Sequence, residues 1–171
     1  MGENEIRNLA DSHAGIDEWK KAGFNELQVL EITKGNDNGV DISIYASPEY
    51  NSRQMKVIRM ALEEGIDVSA MADPEYNYMQ MEQIKEGIKE GIDLSLICNP
   101  KYDYSVMREI RLALKYRFDL TRYAKLGYSG EVLRQIRLAK RDDVDFLRWC
   151  NCRSGKTSRV VAKPVVLRVR C

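Results

Sequence analysis

The sequence predicts an all-α fold, an α-solenoid of stacked helical hairpins, and three observations predict it. The chain repeats itself: in rows of 26 residues it aligns without gaps over 40–65, 66–91, 92–117 and 118–143. A fixed period in this range is the signature of stacked supersecondary units rather than one wound core. Helix-starting residues recur twice in every row, at Asp41, Asp67, Asp93 and Asp119 and again at Asn51, Asn77, Asp103 and Ser129. An apolar stripe follows the second start: Met55, Ile58 and Leu62; Met81, Ile84 and Ile88; Met107, Ile110 and Leu114. That i, i+3, i+7 spacing covers one helix face.

Each row reads as a short capped helix followed by a longer one. The aspartates cap the first helix, since a carboxylate accepts the unpaired N–H groups of a first turn. Ser or Thr stands two residues beyond each of them, and Asp145 opens a partial fifth row, "VDFLRW". This first helix is expected to run about six residues, with Pro48, Pro74 and Pro100 in the turn behind it. Gln54 and Gln80 stand three residues past their caps, at capping-box spacing. The second helix is expected to run about 14 residues, or ~21 Å, and to end on Gly65 and Gly91 as left-handed residues. Upstream, "FNELQVLEI" (24–32) matches "YNSRQMKVI" (50–58), a degraded row ahead of the four good ones. A hairpin this small must bury its stripe against its neighbours. The organisation is therefore an N-terminal cap with a degenerate repeat (1–39), a repeat array (40–149) and a basic non-repeat tail (150–171).

Composition excludes several function classes. No apolar run approaches the ~20 residues of a membrane span. The acidic start "MGENEIRNLADSHAG" is not a secretory leader, so the four cysteines are expected as reduced thiols in the cytoplasm. His13 is the lone histidine, and the recurring carboxylates stand at helix caps, so no catalytic constellation emerges and an enzyme is not expected. Cys150 and Cys152 are spaced C-x-C, unlike a structural zinc site, and neither metal nor cofactor is expected. The tail's "SGKTS" lacks the first glycine of a phosphate-binding loop, because Cys150 stands there. The tail carries six basic residues and no acidic one, which leaves open a basic arm, a capping strand or a stretch foreign to the native chain. Cys98 shares a column with Ala46, Ala72 and Ala124 and reads as a small buried residue.

Two columns offer themselves for function. Tyr50, Tyr76, Tyr102 and Tyr128, with Phe24 upstream, read first as rings packed between rows. As an exposed ladder they would stack single-stranded nucleic acid, and Tyr78 and Tyr104 are better placed for exposure. The second column is basic in every full row: Arg59, Lys85, Arg111 and Arg137. It is flanked late in the chain by Arg108, Lys115, Arg134 and Arg141. The plain reading is a solvated face with local ion pairs worth ~0.3–0.5 kcal/mol each; the functional one is an electropositive ridge. Charge distribution adds weight to the ridge. Residues 1–91 hold 18 acidic and nine basic side chains, a net of −9, and residues 92–171 hold eight and 18, a net of +10. Such a split steers a charged partner or favours head-to-tail self-association.

The consensus "DxSxYAxPEYNxxQMxxIRxALExG" resembles helical-repeat segments of accessory proteins from phages and mobile elements of gut Firmicutes, over about 40–149. The resemblance lies in the repeat scaffold and transfers no catalytic residue. It implies a cytoplasmic bacterial or phage protein, and for a small standalone member a binder or inhibitor of a host enzyme such as a defence nuclease. The expected function is thus a protein-protein interaction module using Arg59, Lys85, Arg108, Arg111, Lys115, Arg134, Arg137 and Arg141. The alternative is nucleic-acid binding by the basic C-terminal half and tail.

Overall fold

A computed structural model of the chain describes residues 16–141. Among them the fold is all-helical, with seven α-helices, two 3₁₀ turns and no strand. The helices are α1 (Ile16–Lys21), α2 (Glu26–Asp37), α3 (Ser52–Glu63), α4 (Tyr78–Lys89), α5 (Tyr104–Lys115), α6 (Thr121–Lys125) and α7 (Gly130–Arg141). Five of them, α2, α3, α4, α5 and α7, are 12 residues long. Their first residues fall 26 apart, so the sequence period is the structural period and extends to the degraded first row.

Local chemistry sets the starts and stops of these helices. Asn25, Asn51 and Asn77 each cap a helix in a complete capping box, closed by Gln28, Gln54 and Gln80. Gln28 and Gln54 also reach the following row. Gln28 Nε2 donates to the carbonyls of Pro48 and Tyr50, at 3.3 and 2.6 Å. Gln54 Nε2 does the same to Pro74 and Tyr76, at 3.1 and 2.6 Å. One side chain thus ends a helix and fastens the next turn, a role the sequence reading did not anticipate. Gly39, Gly65 and Gly91 take positive φ (71°, 71° and 63°) just past α2, α3 and α4, as left-handed C′ residues do.

The chain divides after Leu94 into two compact units. In the first, α2 packs on α1, α3 on α2, and α4 on α3. In the second, α5 packs on α7. The isoleucine column Ile32, Ile58, Ile84, Ile110 and Ile136 is buried throughout, as are Met55, Met81, Met107 and Leu133. Each such side chain contributes ~1.5–3 kcal/mol by leaving water. The last stripe positions, Leu62, Ile88 and Leu114, are only half-buried. A column of small residues, Gly35, Ala61, Gly87 and Ala113, takes over the close contact there. At Gly35 a Cβ would stand 1.9 Å from the Tyr45 hydroxyl, which donates to the Glu31 carbonyl, so glycine alone leaves room for that ring.

The short first helix of each row needs correction. In row 40–65 it is a three-residue 3₁₀ turn (Ile42–Ile44), in row 92–117 another (Leu94–Leu96), and in row 66–91 no helix at all. Only row 118–143 forms an α-helix, α6, and it is the row without the turn proline: Leu126 stands where the others have Pro48, Pro74 and Pro100. A proline disfavours helical dihedrals at the preceding residue. The turn therefore stops at one i→i+4 bond, Ala46 N–H to the Ile42 carbonyl and Ala72 N–H to the Val68 carbonyl, and does not propagate into an α-helix. The aspartates still act as expected. Asp41, Asp67 and Asp119 accept from the N–H of Ser43, Ser69 and Thr121 at 3.1, 2.9 and 2.7 Å. Asp145 lies outside the described residues.

Candidate partner-binding surface

The eight basic residues predicted to form a ridge separate into two groups. Arg59, Lys85, Arg111 and Arg137 are only 6–9% exposed. Arg59 Nη2 lies 2.9 Å from Glu31 on α2, and its Nη1 lies 2.5 Å from Glu63 on its own helix. Arg137 Nε lies 2.7 Å from Glu109 on α5. Lys85 faces Glu64 and Glu82 at 3.8 and 4.0 Å, and Arg111 is likewise engaged. Burial opposes the Arg59 charge, but the hydrogen bonds to Glu63 and Glu31 outweigh it and raise its pKa. This inner column is therefore neither the solvated face nor the docking ridge that the sequence suggested. Two of its residues, Arg59 and Arg137, tie one long helix to another by buried ion pairs, which are costly to break. The signal was present but distant: Arg59 and Glu31, like Arg137 and Glu109, stand 28 residues apart, one row plus two positions.

Among the flanking residues Arg108, Lys115 and Arg134 face water. The side chains of Arg108 and Arg134 are 55% and 54% exposed, on α5 and α7 of the second unit. Each makes only a long contact with a carboxylate, Arg108 with Glu109 at 3.9 Å and Arg134 with Glu131 at 3.8 Å. Glu109 is already held by Arg137 at the shorter distance. Lys115 is exposed at the end of α5. Arg141 is the last residue of α7.

The tyrosine column divides the same way. Phe24, Tyr50 and Tyr76 are buried, and Tyr102 and Tyr128 half-buried, so the column packs rather than forming a ladder. Of the two rings expected to be exposed, Tyr104 is 40% exposed, one turn ahead of Arg108. Tyr78 is half-buried under the Arg53 guanidinium, 5.2 Å from its ring centre.

Cys98 is half-buried rather than buried, and burial raises its thiol pKa. It lines an open recess of about 200 Å³ with Leu96, Pro100, Tyr102, Thr121 and Lys125, beside the turn that precedes α5. Among the described residues no cluster of His, Cys, Asp or Glu is arranged to hold a metal ion, and no helix is long and apolar enough to cross a membrane. The tail, with Cys150, Cys152 and "SGKTS", lies outside the described residues.

Comparison with protein-family models, with curated proteins and with solved structures finds no match.

Proposed function

We propose that this chain is a non-enzymatic interaction module, a short solenoid whose outer face binds a protein partner with an acidic surface. One observation carries the reading: the constant apolar columns of the long helices are interior, while a column on their outer side changes its chemistry from row to row. The columns of Ile58 and Met55 keep their chemistry and stay buried. On the outer side, Leu30, Lys56, Glu82, Arg108 and Arg134 share one column that holds four residue types. A constant frame with a variable face is how repeat proteins present recognition surfaces. On the second unit that face is cationic and weakly neutralised, which suits an acidic partner. The repeat's resemblance to accessory segments of phages and mobile elements supports a host enzyme as the target, with inhibition as the outcome and the cytoplasm as the setting.

The test is the double reversal Arg108→Glu/Arg134→Glu on the full chain. A partner recovered with the native protein is expected to be lost with this variant and retained with Lys56→Glu on α3. Unchanged recovery after the double reversal removes the α5–α7 face from the function. A second reading rests on Tyr104, an exposed ring one turn from an exposed arginine, a pairing that suits single-stranded nucleic acid. It requires an oligonucleotide shift in a gel at low salt that fades steeply as salt rises.

A further inference from the structure

The turns that lead into the long helices share one geometry but reverse their charge between the two units. In the first unit, Asp73 Oδ1 accepts from the Glu75 N–H at 2.9 Å and the Asp73 carbonyl from the Tyr76 N–H at 3.1 Å. In the second unit, Asn99 makes the same two bonds to Lys101 and Tyr102, at 3.0 and 2.9 Å. Glu75 and Lys101 are thus displayed alike, both exposed, with opposite sign. One row earlier the position is Glu49, also exposed. Among the described residues none of Glu49, Asp73, Glu75, Lys101 and Lys125 has an ion-pair partner.

Folding explains one half of this pattern and not the other. A carboxylate beside a helix N-terminus is favoured by the helix dipole, and a cation there is disfavoured, by ~0.3–1 kcal/mol. Glu75, just ahead of α4, obeys that rule; Lys101, just ahead of α5, opposes it. The lysine is therefore unexplained by its own helix. In sequence it stands between Pro100 and Tyr102, two of the residues that line the recess already described, together with Leu96 and Lys125. The complementary charge is in the first unit, where Asp73, Pro74 and Glu75 are all exposed, a proline between two carboxylates.

We propose that this recess is a docking site for a second copy of the chain, which inserts its Asp73–Pro74–Glu75 turn. Pro74 lies against Leu96 and Pro100, and the flanking carboxylates meet Lys101 and Lys125. The proposal uses none of the residues tested for the α5–α7 face, so the two stand or fall separately. Contacts of this exposed kind are individually weak and screened by salt, so the association is reversible and ionic-strength-dependent.

Sedimentation velocity of the full chain, under reducing conditions and over a range of concentrations, tests it. At about 0.02 M salt the sedimentation coefficient is expected to climb with concentration, and at about 0.5 M to fall back toward the single chain. A plateau at the dimer means closed pairing and continued growth means open chains; either supports the site. Glu75→Lys alone, and Lys101→Glu/Lys125→Glu alone, are each expected to stay monomeric while keeping the native circular dichroism. Mixed, the two variants are expected to pair, because the unaltered turn of the Lys101→Glu/Lys125→Glu variant meets the unaltered recess of Glu75→Lys. A native chain that stays monomeric at low salt overturns the proposal. So does association that survives both reversals, or a mixture that fails to associate.

Discussion

At the scale of single residues, the row pattern marks its own exceptions. Three rows end their long helix on a left-handed glycine, and the next places Arg117 there, at φ 59°. A side chain in this region costs ~1–2 kcal/mol against the following carbonyl. Glycine gives back part of that through the freedom it loses on folding, ~0.5–1 kcal/mol. Arg117→Gly is therefore expected to stabilise the protein by roughly 0.5–1 kcal/mol, read as a higher urea midpoint. Arg117 is exposed, so no packing is lost in the exchange. A lowered midpoint would mean that the arginine has a native partner that repays its backbone strain.

At the scale of elements, the joints between rows are polar although the interior is apolar. Gln54 closes its own cap by accepting from the Asn51 N–H at 2.7 Å and holds two carbonyls of the next turn. Val106 occupies the equivalent position after Asp103, where the cap persists without a box. Gln54→Val is expected to cost about 2–3 kcal/mol, since carbonyls it now satisfies lose their donor in a poorly hydrated place. Equilibrium unfolding in urea measures it. The Arg59–Glu31 joint behaves differently. Arg59→Met leaves the buried Glu31 carboxylate with Lys34 alone, 3.0 Å away, and is expected to cost about 3 kcal/mol, the low end for a broken buried pair, while Arg59→Met/Glu31→Leu is expected to recover most of that loss. Equal losses in the single and double variants would show that the guanidinium's packing, not its charge, matters here. These joints also show what sequence reasoning can reach. Caps, C′ glycines and the buried Met and Ile columns obey rules spanning one to seven residues, and all were legible. The burial of the basic column was not, because Glu31 and Arg59 stand 28 residues apart and no local rule pairs them. The short first helices fall below the expected six residues because the turn prolines also shorten the helix before them. On the candidate surface, Arg108 and Arg134 were named, but Lys101 was missed. Comparing the sign of Glu49, Glu75 and Lys101 down one column would have found it.

At the scale of the whole molecule, the uneven charge of the sequence has a consequence in acid. Hydrogen bonds from Asn38 and Arg59 hold the Glu63 carboxyl below its usual range. The Lys89 ammonium does the same for Glu64, and the Ser69 backbone N–H for Asp67. All three belong to the first unit, around the end of α3 and the loop behind it. A carboxyl whose folded pKa is depressed contributes stability that is complete above its unfolded pKa and is lost as pH falls through the folded value. The ordinary values here are 4.5 for the glutamates and 3.8 for the aspartate, so the loss begins near the higher figure and continues below the lower one. The groups are exposed, so each contribution is modest and shrinks in salt. The urea midpoint is expected to be level down to about pH 5 and to decline from there. Glu63→Gln/Glu64→Gln is expected to lower the midpoint at neutral pH and to flatten the decline, because the variant has fewer protons to take up on unfolding. Were the variant's slope in acid as steep as the parent's, the proton uptake would have to come from carboxyls elsewhere in the chain.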